Sequence, residues 1–401
     1  MAPIEIHIPS VGPAFAIGNL DLLGGPRVAI LNSRQGKFPC ADASWIQRTL
    51  ELVAQLVRRD KVIVSSIGMF TWELVTWKTG ACGGKLILVL EDTKPRDVPI
   101  LVDRIVRDFG LDLRNTLFLL PANSAQIQGL SSNLPRLDCF VVALADTLYS
   151  VSIRPRGNLE AILDTFRATP GKVDERFAVS YIKTSRKSSR SKMMTEVPKA
   201  EDLHWDFLTH WTRAAIGPWS GETKAQFYAS FECNEHEYPR SAFHTLRHIL
   251  REGRIRASKQ LIRGDEAVVS LTACPPWELA KLVKWRPSLL RWTFEPYGIA
   301  LNRDRLASFG ARSVIYGGDD DYRSLKEKDR PLFQSCGRGK NDWRIENEWR
   351  HLGDLDLNRF ASQEAVVFTL TEEEAAILQK DSPFQVVFWA DIPKRLGAES
   401  F

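Results

Sequence analysis

Arg27-Val28-Ala29-Ile30-Leu31, Lys61-Val62-Ile63-Val64 and Lys85-Leu86-Ile87-Leu88-Val89-Leu90 are three short apolar runs separated by stretches with helical spacing. Between the first two, residues 42–59 place Trp45, Leu50, Leu52, Val53, Leu56 and Val57 on one face of an amphipathic helix. A helix around 70–78 follows the second run and a helix at 97–109 follows the third. A strand at 116–120 and a strand near 139–143 continue the series. A further strand-like run at 148–153 leads into Gly157-Asn158 and a helix at 158–167. Strands that are apolar almost throughout need cover on both faces, and helices between them supply it. This half of the chain is therefore expected to be a Rossmann-like α/β parallel sheet.

The chain has 401 residues, more than one ordinary core accommodates, so two domains are expected. Apolar residues at 44% and charged residues at 26% exclude a fibrous or wholly disordered protein. A net charge of +5 permits an anionic partner without demanding one. Six cysteines, at 40, 82, 139, 233, 274 and 336, include no CxxC pair, which argues against a zinc site and for reduced, mostly buried thiols. The first fifteen residues lack a basic segment followed by an apolar run, and no apolar stretch reaches the ~20 residues of a membrane helix. A cytoplasmic protein without a membrane partner is the expectation; an oligomer is left open.

Lys183 to Lys192, KTSRKSSRSK, holds five basic residues, four serines, one threonine and no apolar side chain. It cannot bury enough surface to offset its ordering entropy and reads as a linker, either a solvated tether or an arm touching nucleic acid. The division that follows is a Rossmann-like domain at 1–182, a basic linker at 183–200 and a second domain at 201–401. The second domain holds Trp205, Trp211, Trp219, Trp277, Trp285, Trp292, Trp343, Trp349 and Trp389. Helices are expected at 202–215 and 241–253, with short strands at 267–271, 297–301, 312–316, 346–350, 364–370 and 384–389, an α+β or mostly β pattern.

In an open parallel sheet, ligands bind beyond the carboxyl ends of the strands, where helix N-termini present unpaired N–H groups. Three such ends carry suitable residues: Asn32-Ser33-Arg34-Gln35-Gly36, Ser65-Ser66-Ile67-Gly68-Met69 and Arg154-Pro155-Arg156-Gly157-Asn158. Small residues let the backbone approach an anion, and Arg34 and Arg156 can grip it bidentately. Ser33, Arg34, Ser65, Ser66, Gly68, Arg156, Gly157 and Asn158 are the candidate nucleotide- or phosphate-binding residues.

The succession VAILNSR, VIVSSIGMFTWE, KLILVL and RLDCFVVALADTLYSVSIRPRGNL resembles the DprA branch of the SLOG superfamily over roughly residues 15–170. The resemblance implies binding of single-stranded DNA or nucleotide phosphates through those loops. The chain departs from the branch where Ser65-Ser66 stands for Ser-Gly and Thr71-Trp72 occupies the neighbourhood of the second glycine. Gly80-Ala81-Cys82-Gly83-Gly84 lacks the context of a nucleotide-hydrolysing P-G-G-x-G-T-x-x-E loop.

In the second half, His244-Thr245 precedes Ile249-Leu250-Arg251-Glu252-Gly253-Arg254-Ile255, then come Ser270-Leu271-Thr272 and Glu346-Asn347-Glu348. Alternation on a strand would put Ser270 with Thr272, and Glu346 with Glu348, on shared faces. This order resembles the ADP-ribosyltransferase superfamily, and the ILREGRI helix end is similar to DarT-type DNA ADP-ribosyltransferases and RNA 2′-phosphotransferases. The resemblance implies a split sheet that clasps NAD as substrate. Cleavage of the nicotinamide–ribose bond develops oxocarbenium character that a carboxylate stabilises. By resemblance, Glu348 takes that part, Glu346 activates an acceptor and His244, the third catalytic residue, hydrogen-bonds the nicotinamide-side ribose, with Thr245 beside it in binding the cofactor. Ser270 and Thr272 support the cofactor, and Tyr297 stacks on nicotinamide. Arg251, Arg254, Arg256 and Arg263 are alternatives for the pyrophosphate.

Simpler accounts stand beside these. Glu346 and Glu348 would also be explained as charges paired with Arg344 and Arg350, His244 as a helix-terminal histidine, and Tyr297 as packing. Two functions are thus expected to compete. One is an NAD-consuming ADP-ribosyltransferase or glycohydrolase with a nucleotide- or DNA-recognising first half, as in bacterial antiviral defence. The other is a non-enzymatic nucleic-acid-binding protein.

Overall fold

The computed structural model describes residues 2–91, 94–122, 127, 134–182, 205–233, 236–259, 262–279, 285–286, 291–335 and 343–391. Linker residues 183–200 lie outside the described residues, as does Cys336. Contacts divide the chain into two units: Met1–Thr184 with Gly217–Pro239, and Ser185–Ile216 with Arg240–Phe401. The segment 217–239, assigned to the second domain from sequence, joins the first unit for a physical reason. Its Phe227, Tyr228 and Phe231 lie 5.0–6.1 Å, ring to ring, from Phe70. They cover apolar surface that the first unit would otherwise leave open.

The first unit is an eight-stranded sheet. Its strands are β1 (Ile4–Ile8), β2 (Gly12–Gly18), β3 (Arg27–Asn32), β4 (Val62–Ser66), β5 (Lys85–Val89), β6 (Thr116–Pro121), β7 (Thr147–Ser152) and β8 (Val173–Asp174). Their order is β1-β2-β6-β5-β4-β3-β7-β8. From β6 to β8 all pairings are parallel. The β1–β2 hairpin, which the series of apolar runs does not announce, adds antiparallel to β6.

Five helices join the strands: α1 (Ser44–Arg58), α2 (Phe70–Ala81), α3 (Val98–Phe109), α4 (Arg136–Leu144) and α5 (Asn158–Arg167). In α1, Ile46, Leu50, Val53 and Leu56 recur at helical spacing and are buried, while Arg48 and Glu51 pair on the outer face. The strand expected near 139–143 is instead the second half of α4. The run Cys139-Phe140-Val141-Val142 is buried on every side, and periodicity cannot separate a helix from a strand in such a run.

The second unit holds a seven-stranded sheet: β9 (Phe207–Trp211), β10 (Val268–Thr272), β11 (Gly298–Asn302), β12 (Arg312–Ser313), β13 (Glu348–Leu352), β14 (Ala365–Thr369) and β15 (Gln385–Phe388). The order is β12-β13-β10-β9-β11-β14-β15, antiparallel except for the last pair. Alternate residues face two cores. Leu208, Val269, Leu271, Ile299, Leu301 and Val367 meet Phe243, Leu246 and Leu250 of a helix at Ala242–Glu252. Trp211, Ala300, Val366, Phe368 and Val387 form the other core with Trp205 and Trp389.

The helix expected at 202–215 is thus the central strand β9, because its side chains alternate between those cores. The expected strand at 312–316 is two strands, β12 and Ile315–Gly317, the latter pairing with Phe333–Ser335. The helix Glu372–Gln379 has no counterpart in the sequence expectations. The thiols are less buried than expected: Cys139 and Cys274 are buried, Cys40 and Cys82 half-buried and Cys233 exposed, and none of these five is in a disulfide.

Candidate functional sites

In the first unit the chain passes from β3 through β4 and β5 to β6 in one direction, then returns through α4 to β7 on the other side of β3. The order reverses between β3 and β7, the place in such sheets where a crevice opens at the strand ends. Three of the candidate loops meet different fates around it.

The ends of β3 and β7 are clasped together. Ser33 N–H donates to Ser152 O at 2.8 Å, and Arg154 N–H donates to Ser33 Oγ at 2.9 Å. Ser33 is therefore a buried fastener rather than an open phosphate ligand. Arg34, Arg154 and Arg156 are exposed at these two strand ends, and among the described residues none of their guanidinium groups has an ion-pair partner. Arg34 is positioned through its carbonyl, which accepts from Tyr181 Oη at 3.0 Å. Arg156 adopts φ 59°, rare for a side-chain-bearing residue, and its N–H donates to Glu160 Oε2 at 2.5 Å. Gly157 then caps α5, where a Cβ would lie 2.9 Å from Arg154 O. Asn158 is exposed at the first helical position. Arg154, in the same loop, adds a third exposed guanidinium to the two expected from sequence.

The loop after β4 is closed. Ser65 Oγ donates to Trp72 O at 3.0 Å, Ser66 Oγ donates to Val89 O at 2.9 Å, and both residues are almost completely buried. Neither hydroxyl faces a ligand, which corrects their assignment. Gly68 takes φ 92°, and its N–H donates to Glu73 Oε1 at 3.0 Å. Glu73 lies in the first turn of α2 and also accepts from Lys224 Nζ at 2.5 Å and Tyr228 Oη at 2.8 Å. A protein carboxylate thus occupies the positive end of the helix, where an anion would sit. Gly68 is taken as well.

Beside this loop, Asp138 of α4 is 8% exposed. Burial pushes its carboxyl up to about 6, the Trp72 side chain opposes that rise, and Glu91 adds to it.

In the second unit, Glu348 begins β13 opposite Thr272, with Arg350 opposite Ser270. Ser270 Oγ and Arg350 Nε both donate to Glu348 Oε1 at 2.9 Å. Arg350 is 1% exposed and also donates to Pro331 O, Phe333 O and Gln334 Oε1. The pairing of Glu348 with Arg350, one of the simpler readings, is therefore present. Glu348 N–H donates to Tyr316 Oη at 3.2 Å. Burial raises the Tyr316 phenol, with Glu348 and Glu346 adding to the rise.

Glu346 does not share a strand face with Glu348. It ends a short helical turn, Trp343–Glu346, and Asn347 at φ 45° turns the chain before β13 begins. Thr272 Oγ1 donates to the Glu346 carbonyl. His244 lies in the first turn of the 242–252 helix, where Ser241 Oγ caps the helix and is 2.9 Å from His244 Nδ1. Thr245 N–H donates to Ser241 O. Tyr297 is 2% exposed and donates to Glu374 Oε1 at 2.9 Å, so its ring is core, not a stacking platform. The structure thus joins Glu348, Ser270 and the Glu346–Thr272 turn, and gives His244, Thr245 and Tyr297 other partners.

Arg251 and Arg254 pair with Asp381 and Asp354, Arg256 with Glu252, and Arg263 with Asp319. Two nearby groups escape a reading of the sequence. Tyr316 gives no signal there. His210, whose Nδ1 is 3.0 Å from Ser270 O, is hidden by the helical reading of 202–215. Burial lowers its basicity.

No protein-family model matches the chain, and no curated protein does. Solved structures match part of it. The DNA processing protein A of Helicobacter pylori, described for its single-stranded DNA binding mode, is 17% identical over 41% of this chain and 73% of that chain, with a TM-score of 0.28. The DNA processing protein A of Streptococcus pneumoniae is 23% identical over 39% of this chain and 53% of that one, at 0.27. The molybdenum cofactor carrier protein of Chlamydomonas reinhardtii is 12% identical over 43% and 83%, at 0.27. Among the described residues no helix is long and apolar enough to cross a membrane.

Proposed function

We propose that the first unit binds the phosphates of a nucleotide or single-stranded nucleic acid at the β3–β7 crevice. One observation carries the reading: Arg34, Arg154 and Arg156 stand exposed, and among the described residues without an ion-pair partner, at the two strand ends where the sheet order reverses. Guanidinium groups match phosphate geometry, and three of them exposed without an ion-pair partner leave their donors open to an anion. Single-stranded DNA, named for the H. pylori protein, is the first ligand to test. Binding of a fluorescent oligonucleotide across a salt series should weaken when the three arginines become alanine. The slope of log affinity against log salt should flatten by about 2, since each phosphate contact on a single strand contributes roughly 0.7. An unchanged slope would remove the arginines from the interface.

A second reading belongs to the second unit: an ADP-ribosyltransferase or NAD glycohydrolase centred on Glu348. It is supported by a carboxylate that Ser270 and Arg350 hold in a fixed orientation, as oxocarbenium stabilisation requires. NAD would be the substrate. The reading does not rely on Tyr297 or on His244. Loss of NAD in the presence of the purified chain, abolished by Glu348→Gln, is the result it requires.

A further inference from the structure

The first sheet ends, on its antiparallel side, in a strand whose backbone can take another. Pro13 O of β2 accepts from Ala122 N–H at 2.9 Å, so that carbonyl faces β6. In an antiparallel ladder a residue turns its N–H and C=O to one side, and the side alternates along the strand. Gly12, Ala14 and Ala16 therefore turn theirs to β1, where they meet Ile8, Ile6 and Ile4. The N–H and C=O of Glu5 and His7 are left pointing out of the sheet, and among the described residues no strand lies beyond β1. Both side chains are exposed, and among the described residues neither has an ion-pair partner. Ile4, on the other face of the strand, is 57% exposed. An open edge of this kind invites a further strand unless it is blunted, and β1 carries neither a lysine nor a bulge.

We infer that β1 pairs antiparallel with β1 of a second copy of this chain, about a two-fold axis at Ile6. The residues themselves select that register. Centred on Ile6, Glu5 meets His7 of the second copy and His7 meets its Glu5, so every outward N–H and C=O of the two residues finds a partner. Centring on Glu5 would set carboxylate against carboxylate and His7 against Pro3. Centring on His7 would set imidazole against imidazole and Glu5 against Pro9. Pro3 and Pro9 have no N–H, so either slip loses hydrogen bonds. The Ile6 register also puts each Glu5 carboxylate beside a His7 imidazole that can donate to it. On the other face Ile6 meets its own copy, and the exposed Ile4 lies opposite Ile8. The two prolines end the ladder, and the two-fold contact uses both β1 edges, so the assembly closes at a dimer. So short a ladder buries little surface, which makes the association a weak one.

Sedimentation velocity of the full chain from about 1 to 300 µM, the range in which a small interface associates, should show monomer passing to dimer and nothing larger. His7→Pro removes an outward N–H and none of the bonds within the hairpin, so it should abolish the dimer and leave the melting temperature at low concentration unchanged. His7→Glu sets two carboxylates against two others and should weaken the dimer about tenfold. The double exchange, Glu5→His with His7→Glu, restores a carboxylate beside each imidazole and should return the dimer to within about threefold of wild type. That recovery separates the register from a mere need for a folded hairpin, and it decides the matter even if His7→Pro does not fold. The inference falls if the wild type stays monomeric throughout, or if it grows beyond a dimer. It falls too if a folded His7→Pro chain still dimerises, or if the double exchange is as weak as His7→Glu alone.

Discussion

Replacing Asp138 with asparagine should stabilise the protein at neutral pH and lose that advantage in acid. The carboxyl is buried on α4, and its proton affinity rises from an ordinary 3.8 to about 6. Between those values the folded chain keeps a proton that the unfolded chain has released, so this group's contribution to stability declines as pH rises through the window. It is constant below about 4 and again above about 6. The shift of about 2 units corresponds to about 3 kcal/mol at pH 8, an upper figure because denatured chains retain some structure. The carboxamide of the Asp138→Asn variant has no charge to desolvate. The stability difference between variant and wild type should therefore move in favour of the variant by up to about 3 kcal/mol from pH 4 to pH 8. Urea unfolding of both proteins at five pH values in that range, followed by tryptophan fluorescence, measures it. A difference that stays flat across the range would show that burial does not perturb Asp138, and the account of that corner would be wrong.

Other substitutions test the remaining assignments. Arg350→Met strands the Glu348 carboxylate and should cost about 3–5 kcal/mol in urea unfolding, whereas adding Glu348→Leu should recover much of the loss. Ser66→Ala should cost about 1 kcal/mol in thermal unfolding and leave oligonucleotide affinity unchanged, because its hydroxyl is spent on Val89 O. Tyr228→Phe deletes one of the donors on Glu73 and should destabilise by about 1.5–3 kcal/mol. An equal loss in the Glu73→Gln background would mean the two do not interact.

How much the sequence reveals follows from where each signal resides. The parallel strands are legible because a strand buried on both faces must be apolar throughout, as Val28 to Leu31 and Leu86 to Val89 are. The same rule misreads 139–143, where a helix is equally buried. β9 passes for a helix because its tryptophan and leucine face two cores, which leaves no polar alternation to see. At the sites, Arg34 and Arg156 can be found from loop composition. The filling of the α2 terminus cannot, since Glu73 meets donors from residues more than 150 positions away. Glu346 is misplaced through one backbone angle, at Asn347, that residue type only hints at.

The helical segment Lys224–Ala229 and the turn after it supply Phe227, Tyr228 and Phe231 to the first unit from far down the chain. During synthesis, the first 182 residues therefore leave the ribosome with Phe70 uncovered and Glu73 without its lysine and tyrosine. Closure across about 150 residues also carries an entropic cost and slows folding. Gene fragments ending in the basic linker should accordingly yield a sticky, incompletely closed sheet, although that stretch looks like the natural place to cut. Recombination that exchanged the first 200 codons as a block would break the unit it seemed to transfer.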